Sequence, residues 1–395
     1  MDERLIGREI ASILRHEVKN NTYKFALVRA INDVVMAYPD ACDGTHDVAV
    51  PLRRLASQWL AYYWAFADED NPVWQGPRNQ SATGLRQDMV FRRALKALRR
   101  EWETYIGAPA RPSDGFTLIS EIASARGFAE MPVSLRRAYE RAVREAVDGV
   151  KQPIRYVGPG SMSILPQPRR FRELEGDPTA IPGTRPDDVC LAISAKRWEE
   201  YRRLSMWVEA ACIHEWSLFV ETVDQTGGAA VSRGEVYRLL TDRPDNRRPL
   251  TWERNKVDML LREGQVFTCP WTGKRITLGT QYDVDHLVPL AVYPTNELWN
   301  LAPSDRWFNE HRKRARLPSD DALARAYPAL VETYTAYSRM AALGRTLRDD
   351  VSARFTRVNV TRCDFPRQVA DAVSCFIRQL AAARNVARFE WGGRG

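Results

Sequence analysis

The sequence predicts a mainly α-helical chain with one small α+β module in its C-terminal half. Apolar residues recur at helical spacing through most of the chain. A stretch punctuated by proline and glycine, 151–188, interrupts that pattern. Near residue 265 the apolar period becomes that of short alternating strands. The 395 residues suffice for two or three domains, each with its own core. The expected division is a helical domain over 1–150, a Pro-rich irregular insertion followed by helices over 151–250, a compact module over 251–320, and a helical segment over 321–395.

The first helix with a clear stripe follows Asn21, with Leu27, Val28, Ile31, Val34, Val35 and Tyr38 on one face and Asn21 or Thr22 as its cap. "PLRRLASQWLAYYWAFA" (51–67) reads as a second helix, and 86–106 and 133–149 as two more. In 151–188, Pro153, Pro159, Pro166, Pro168, Pro178, Pro182 and Pro186 exclude regular helix, and "IRYVG" and "SILP" are the candidate short strands. Helix resumes over 195–223, where Leu204, Trp207, Val208, Ala211, Cys212, Trp216, Phe219 and Val223 form a stripe. "SRGE" (232–235) has the capping-box pattern and starts another helix. A last helix-rich segment spans 319–385. Trp59, Trp207 and Trp216 have the chemistry to stack on bases, but their spacing with Leu and Val assigns them to the core. His16 and His214 lie in helical stretches and receive no function.

Charged residues are 27% and apolar residues 44% of the chain, as in an ordinary globular protein. The net charge of +8 fits a polyanionic partner. Basic clusters occur at "RRALKALRREW" (92–102), "RRAYERAVRE" (136–145) and "HRKRAR" (311–316); on helices the first two also serve as solvated faces. No apolar run reaches the roughly 18 residues that a membrane helix needs, and the N-terminus lacks the apolar core of a signal peptide. The expected location is the cytoplasm. Six scattered cysteines without a CxxC pair argue against a disulfide framework and against a four-thiolate zinc site.

The chemistry concentrates in "VDHLVPLAVYPTNELWNLAPSDRWFNEHRKR" (284–314), which holds two of the five histidines. Ahead of it, "QVFTCPWTGKRITLGTQYDVDHLVP" (265–289) reads as two short strands, with a turn at "TGK" (272–274) and alternation from Tyr282 to Val288. A loop follows over 289–299. "LAPSDRWFNEHRKR" then starts a helix with Ser304 as N-cap and Asp305 in its first turn. Asp285 and His286, being adjacent, point to opposite sides of a regular strand, so reaching one site requires a strand end or a bulge. A carboxylate and an amide oxygen suit Mg²⁺ or Mn²⁺. A neutral imidazole is the side chain best tuned to take a proton from water near neutral pH. A divalent ion beside it stabilises charge on a phosphate. Asn309 shares a helix face with Arg312 and Lys313. Together these parts describe metal-assisted hydrolysis of a phosphodiester.

On "DH" (285–286), the asparagine of "WNLAP" (Asn300) and a third metal-facing residue on the helix, the window resembles the HNH nucleases with their ββα-metal fold. "VDHLVP" is also similar to the "DHIVP" core of the HNH domain in CRISPR effector nucleases, which cut a DNA strand. The resemblance implies His286 as general base, Asp285 as metal ligand, Asn300 as the residue that holds the loop and orients the base, and Asn309 as second ligand. His311 competes for that last place; Asn309 is taken because it precedes Lys313 by one turn, the family's ligand-then-lysine spacing. The resemblance also implies one divalent ion, Mg²⁺ or Mn²⁺, and a DNA substrate. Many relatives carry two CxxC knuckles around a structural zinc. Here Cys269 stands alone in "CPWT" and Phe308 occupies a usual cysteine position, so no structural zinc is expected and packing by Trp271, Trp299, Trp307 and Phe308 takes its place. Arg306, Arg312, Lys313, Arg314 and Arg316 are the candidate phosphate contacts, with Lys274 and Arg275 of the hairpin turn less favoured. "NTYKFALVRAINDV" (21–34) and "WVEAACIHEW" (207–216) resemble segments of bacterial HNH proteins of the phage-defence or restriction type. That likeness covers fold context only; the expected function is an endonuclease in defence against phage or other foreign DNA, nicking by default because one module cuts one strand at a time, with other defence-system proteins as possible partners. An RNase or non-specific nuclease toxin of the same fold, and an inert nucleic-acid-binding scaffold, are the alternatives.

Overall fold

The computed structural model describes residues 3–76, 80–81, 84–85, 89–157, 164–223, 231–242, 244–245 and 249–392. The chain forms two compact units, Met1–Ile119 with Met131–Arg243, and Ser120–Glu130 with Pro244–Gly395.

The first unit is helical around an aromatic core. Its helices include Tyr23–Ala37, Leu52–Tyr62, Arg92–Ile106, Val133–Tyr156, Ala195–Glu221 and Arg233–Thr241. Tyr23 lies 4.9 Å from Trp59, and Tyr63 lies 5.1 Å from Trp216, between ring centroids. Polar groups that enter this core are matched. Gln75 Oε1 accepts from Trp216 Nε1 and Thr22 Oγ1, each at 2.9 Å. Buried Arg92 donates to the carbonyls of Phe66 and Val73. These bonds offset the cost of taking polar groups out of water. A small sheet flanks the helices: Val48–Pro51 pairs antiparallel with Val189–Ile193 and parallel with Thr179–Ala180, and Arg169–Arg170 extends it.

Three expectations for this unit are corrected. The helix that begins at Val133 runs on to Tyr156, through Pro153. Ile154, Arg155 and Tyr156 of "IRYVG" are therefore its last turn and not a strand. Pro153 and Ile154 are both buried, so packing outweighs the one lost backbone bond near the helix end. In "SILP", Ser163 lies outside the described residues and 164–166 form no strand; the strands come later, at 169–170 and 179–180. Trp207 is 67% exposed, whereas Trp59 and Trp216 are fully buried. The buried stripe of its helix runs through Tyr201, Ser205, Val208, Cys212, Trp216 and Val220, and Trp207 falls just outside it. The cap at Ser232 is present, its hydroxyl accepting from Glu235 N.

The second unit carries the α+β module on helices. A hairpin pairs Phe267–Thr268 with Arg275–Ile276, and Tyr282–His286 pairs antiparallel with Leu301–Asp305. Here the expected start of the helix is corrected. Leu301–Asp305 is a strand, in register from Leu301 opposite His286 to Asp305 opposite Tyr282. The pairing satisfies the backbone groups that a helix would otherwise use. Ser304 is buried within this strand, and the N-cap is Asp305, whose Oδ1 accepts from Phe308 N at 2.8 Å. A short helix, Arg306–Phe308, widens into a π-helical turn, Asn309–Lys313. Arg314, at φ 49°, ends it. Helices Asp320–Arg339, Ala341–Arg354 and Phe365–Arg384 support the module. Tyr334 and Tyr337 donate their hydroxyls to the carbonyls of Trp299 and Leu301. No helix among the described residues is long and apolar enough to cross a membrane.

Asp350 joins two distant segments of this unit. Its Oδ1 accepts from Ala125 N at 2.8 Å and its Oδ2 from Leu298 N at 2.7 Å. Burial, then the charge of Glu297, raises its carboxyl from 3.8 to about 8. The fold thus holds this proton more tightly than the unfolded chain does. The resulting stabilisation is complete below the unfolded value, near pH 4, and is lost as pH rises through about 8. The melting temperature should therefore fall between about pH 4 and 8 and level off above, and Asp350→Asn, which cannot ionise, should flatten that fall. An identical slope in the variant would place the titration on another group.

Candidate active site

The strand Tyr282–His286 places Asp283 and Asp285 on one face and His286 on the other, at its last position. Asp285 is buried. Its Oδ2 accepts from Trp271 Nε1 and its Oδ1 from Lys313 Nζ, each at 3.0 Å. Lys313 is only 1% exposed and donates a second bond to the His286 carbonyl at 2.7 Å. Asp283 accepts from Arg306 Nε at 3.0 Å and from Asn309 Nδ2 at 3.2 Å. Arg306, Asn309 and Lys313, spaced three and four apart, therefore line the face of the strand that carries both carboxylates. The π turn closes with Arg314 N on Asn309 O at 3.0 Å, which gives this spacing its geometry.

On the other side, His286 Nε2 lies 2.7 Å from Asn296 Oδ1. Asn296 Nδ2 in turn donates to Glu121 Oε1 at 2.6 Å. Asn300, fully buried, clamps the intervening loop. Its Oδ1 accepts from Val288 N at 2.8 Å, and its Nδ2 donates to the carbonyls of Val288 and Thr295. The strand register is regular up to Leu301 opposite His286, so His286 stands at the strand end with no bulge between it and Asp285.

Of the expected site residues, Asp285, Asn309 and Lys313 are gathered on one strand face, and Asn300 fastens the loop that follows His286. Lys313 does not have the surface position expected of a phosphate contact; it is buried against Asp285. Arg312 and Arg314 are exposed. Arg306 is half-exposed but engaged with Asp283, and Arg316 bonds back to the Arg312 carbonyl. Lys274 pairs with Asp305 at 2.7 Å, and Arg275 is exposed. His311 is exposed and faces away from the strand: its Nδ1 is 2.9 Å from the Trp307 carbonyl, and its ring stacks on Trp307. Among the described residues no group of three or more His, Cys, Asp or Glu gathers as a metal site.

Trp307 is 58% exposed, so the expectation that it packs in the module's interior is corrected; it lies on the solvent side of the helix, opposite Phe308. Trp271, Trp299 and Phe308 are buried. Phe389, from the C-terminal strand Arg388–Phe389, sits edge-on to both Trp271 and Phe308. Gly392 follows it and donates its N–H to the Trp271 carbonyl at 2.9 Å. A Cβ there would lie 2.1 Å from the Phe308 ring, so only glycine fits. Cys269 Sγ accepts from Asp305 N at 3.2 Å, and burial pushes its thiol up.

Sequence reasoning missed Asp283, Trp271 as a partner of Asp285, Asn296 and Glu121. Alternation in "YDVDH" carries a signal for Asp283, which shares a face with Asp285. Glu121 carries none, since it lies 175 residues before Asn296.

The pair of Asp285 and Lys313 has a measurable weight. Removing one partner of a buried ion pair leaves the other charge uncompensated, at a cost of about 3–5 kcal/mol. Lys313→Met should show that loss in urea unfolding, and adding Asp285→Asn should restore part of it. If Lys313→Met costs well under about 1 kcal/mol, the pair behaves as an exposed one does.

Comparison with protein families assigns this module. An HNH endonuclease family model matches residues 269–319, which include Asp285, His286, Asn300 and Asn309. The chain thus carries an HNH domain, the domain type of nucleases, whose substrate is nucleic acid. A second model, for a domain of unknown function (DUF8808), matches residues 4–240, more than half of the chain, and the chain belongs to that family. No curated protein and no solved structure matches it.

Proposed function

We propose that the protein is a metal-dependent endonuclease that hydrolyses DNA phosphodiester bonds, nicking one strand per encounter, in defence against phage or other foreign DNA. The observation that carries this reading is the placement of Asp285 and Asn309 on one strand face, with His286 as the next residue at the strand end.

The donor chemistry fits a hard divalent cation, Mg²⁺ or Mn²⁺. An ionised carboxylate offers about four lone pairs, and Trp271 and Lys313 account for two of them on Asp285. Asn309 turns its amide nitrogen to Asp283, which leaves its oxygen as the ligand atom. Asp285 and Asn309 would hold the ion, which would draw charge from a bound phosphate and its leaving oxygen. His286 takes a proton from water as the oxygen–phosphorus bond forms and the bond to the leaving oxygen breaks. Lys313 holds Asp285 in place. Asn300 fixes the backbone that follows His286. Arg312 and Arg314 meet the strand's phosphates, so binding weakens with salt.

One observation favours a second reading, an inert nucleic-acid-binding scaffold. The Lys313 ammonium already neutralises Asp285, and a divalent ion has to share that carboxylate with it. Supercoiled plasmid separates the two readings. With Mg²⁺ or Mn²⁺ the wild type should yield nicked circles, EDTA should abolish them, and His286→Ala should slow the reaction by about 100-fold or more. Cleavage that His286→Ala leaves unchanged overturns the assignment of the base, and binding without cleavage under either metal supports the scaffold.

A further inference from the structure

We propose that Glu121 is a positioning residue of the nuclease site, acting through Asn296 to hold the His286 ring and to set which of its nitrogens carries the proton. The proposal rests on the reading of His286 as the proton acceptor. Glu121 lies outside the stretch that the HNH model matches, within the residues 4–240 that define the chain's own family.

The argument follows the hydrogen bonds inward. Glu121 is 2% exposed and Asn296 is 6% exposed, so both polar groups are committed to protein partners. A carboxylate only accepts, so its bond to Asn296 has to come from the amide nitrogen, at 2.6 Å. That fixes the orientation of the amide and directs its oxygen at His286 Nε2, 2.7 Å away. An amide oxygen also only accepts, so Nε2 carries the hydrogen. In the neutral ring the basic nitrogen is then Nδ1. Glu121 thereby determines, from one amide away, which ring nitrogen takes the proton from water.

The backbone that carries this carboxylate is held firmly. Ser124 Oγ donates to the Glu121 carbonyl and accepts from Gly127 N. The backbone of Gly127 closes over the residue: a Cβ there would lie 2.5 Å from both Glu121 O and Oε2. Asp350 ties Ala125 and Leu298, so the segment that carries Glu121 and the segment that carries Asn296 share one anchor. Arg126 extends the attachment to Glu253 at 2.8 Å. Segment 120–130 thus completes the nuclease unit although it lies more than a hundred residues before it in sequence.

The test uses the full-length, metal-free protein with ¹⁵N-labelled histidine, so its readout does not depend on cleavage. His286 resonances are assigned by their loss in His286→Ala. In the wild type the ring proton should sit on Nε2 and exchange slowly with water. Glu121→Met, which keeps the length but removes the acceptor, should speed that exchange and, as loss of an outer partner of a functional imidazole does, cost about tenfold in activity. It should also lower kcat for plasmid nicking while leaving KM unchanged. Asn296→Ala, read by the same exchange measurement, serves if Glu121→Met does not fold. A wild-type proton on Nδ1, or ring exchange unchanged in the variant read, overturns the proposal. Plasmid cleavage that His286→Ala leaves unchanged would instead overturn the base assignment, and the two failures are thus distinct.

Discussion

Lys313 and Asp285 form an ion pair with both side chains out of water, and the geometry of the module follows from it. Burying two charges costs several kcal/mol each unless the remaining hydrogen-bonding capacity is filled. Here Trp271 fills part of it on Asp285, and the His286 carbonyl fills part of it on Lys313. The pair therefore fastens three elements: the hairpin loop that carries Trp271, the strand that carries Asp285 and the π turn that carries Lys313. Once Lys313 is fixed, the turn can present Asn309 only opposite Asp283. A hydrophobic pair in the same place would pack as well but would not aim an amide oxygen.

The loop between the paired strands is held by a different device. Asn300 has the donors and acceptor of a peptide group on a side chain, and it uses all of them on Val288 and Thr295. It acts as a short strand partner where no strand fits. Asp350, on a supporting helix, takes the backbone N–H of Leu298 beside it and that of Ala125 from the earlier segment. The nuclease unit is consequently assembled from two stretches of chain. The boundary between the two family matches, in sequence, is not the boundary between the two compact units.

Much of this was legible in the sequence, for reasons that can be named. Long helices announced themselves by period, and Asp285, His286, Asn300 and Asn309 by their spacing in one short window. What misled was local ambiguity. "LAPSD" carries good helix-capping residues, yet long-range pairing with Tyr282–His286 made it a strand, a tertiary effect that capping rules do not contain. Pro153 reads as a helix breaker, but near a helix end its packing outweighs a single missing bond. Lys313 stands among arginines and reads as one more phosphate contact; only the fold shows that it points inward. Glu121 had no local signal, because its partner is defined by topology alone.

The measurement that tests the account most directly is calorimetric titration of Mn²⁺ into the full-length protein, its Asn309→Ala variant and its His311→Ala variant. Asn309→Ala leaves the Asp285–Lys313 pair intact, so a change reports on ligation and not on folding. The account predicts binding by the wild type, the same binding by His311→Ala, and at least a tenfold loss in Asn309→Ala. Binding that Asn309→Ala leaves unchanged, or that His311→Ala removes, would contradict it.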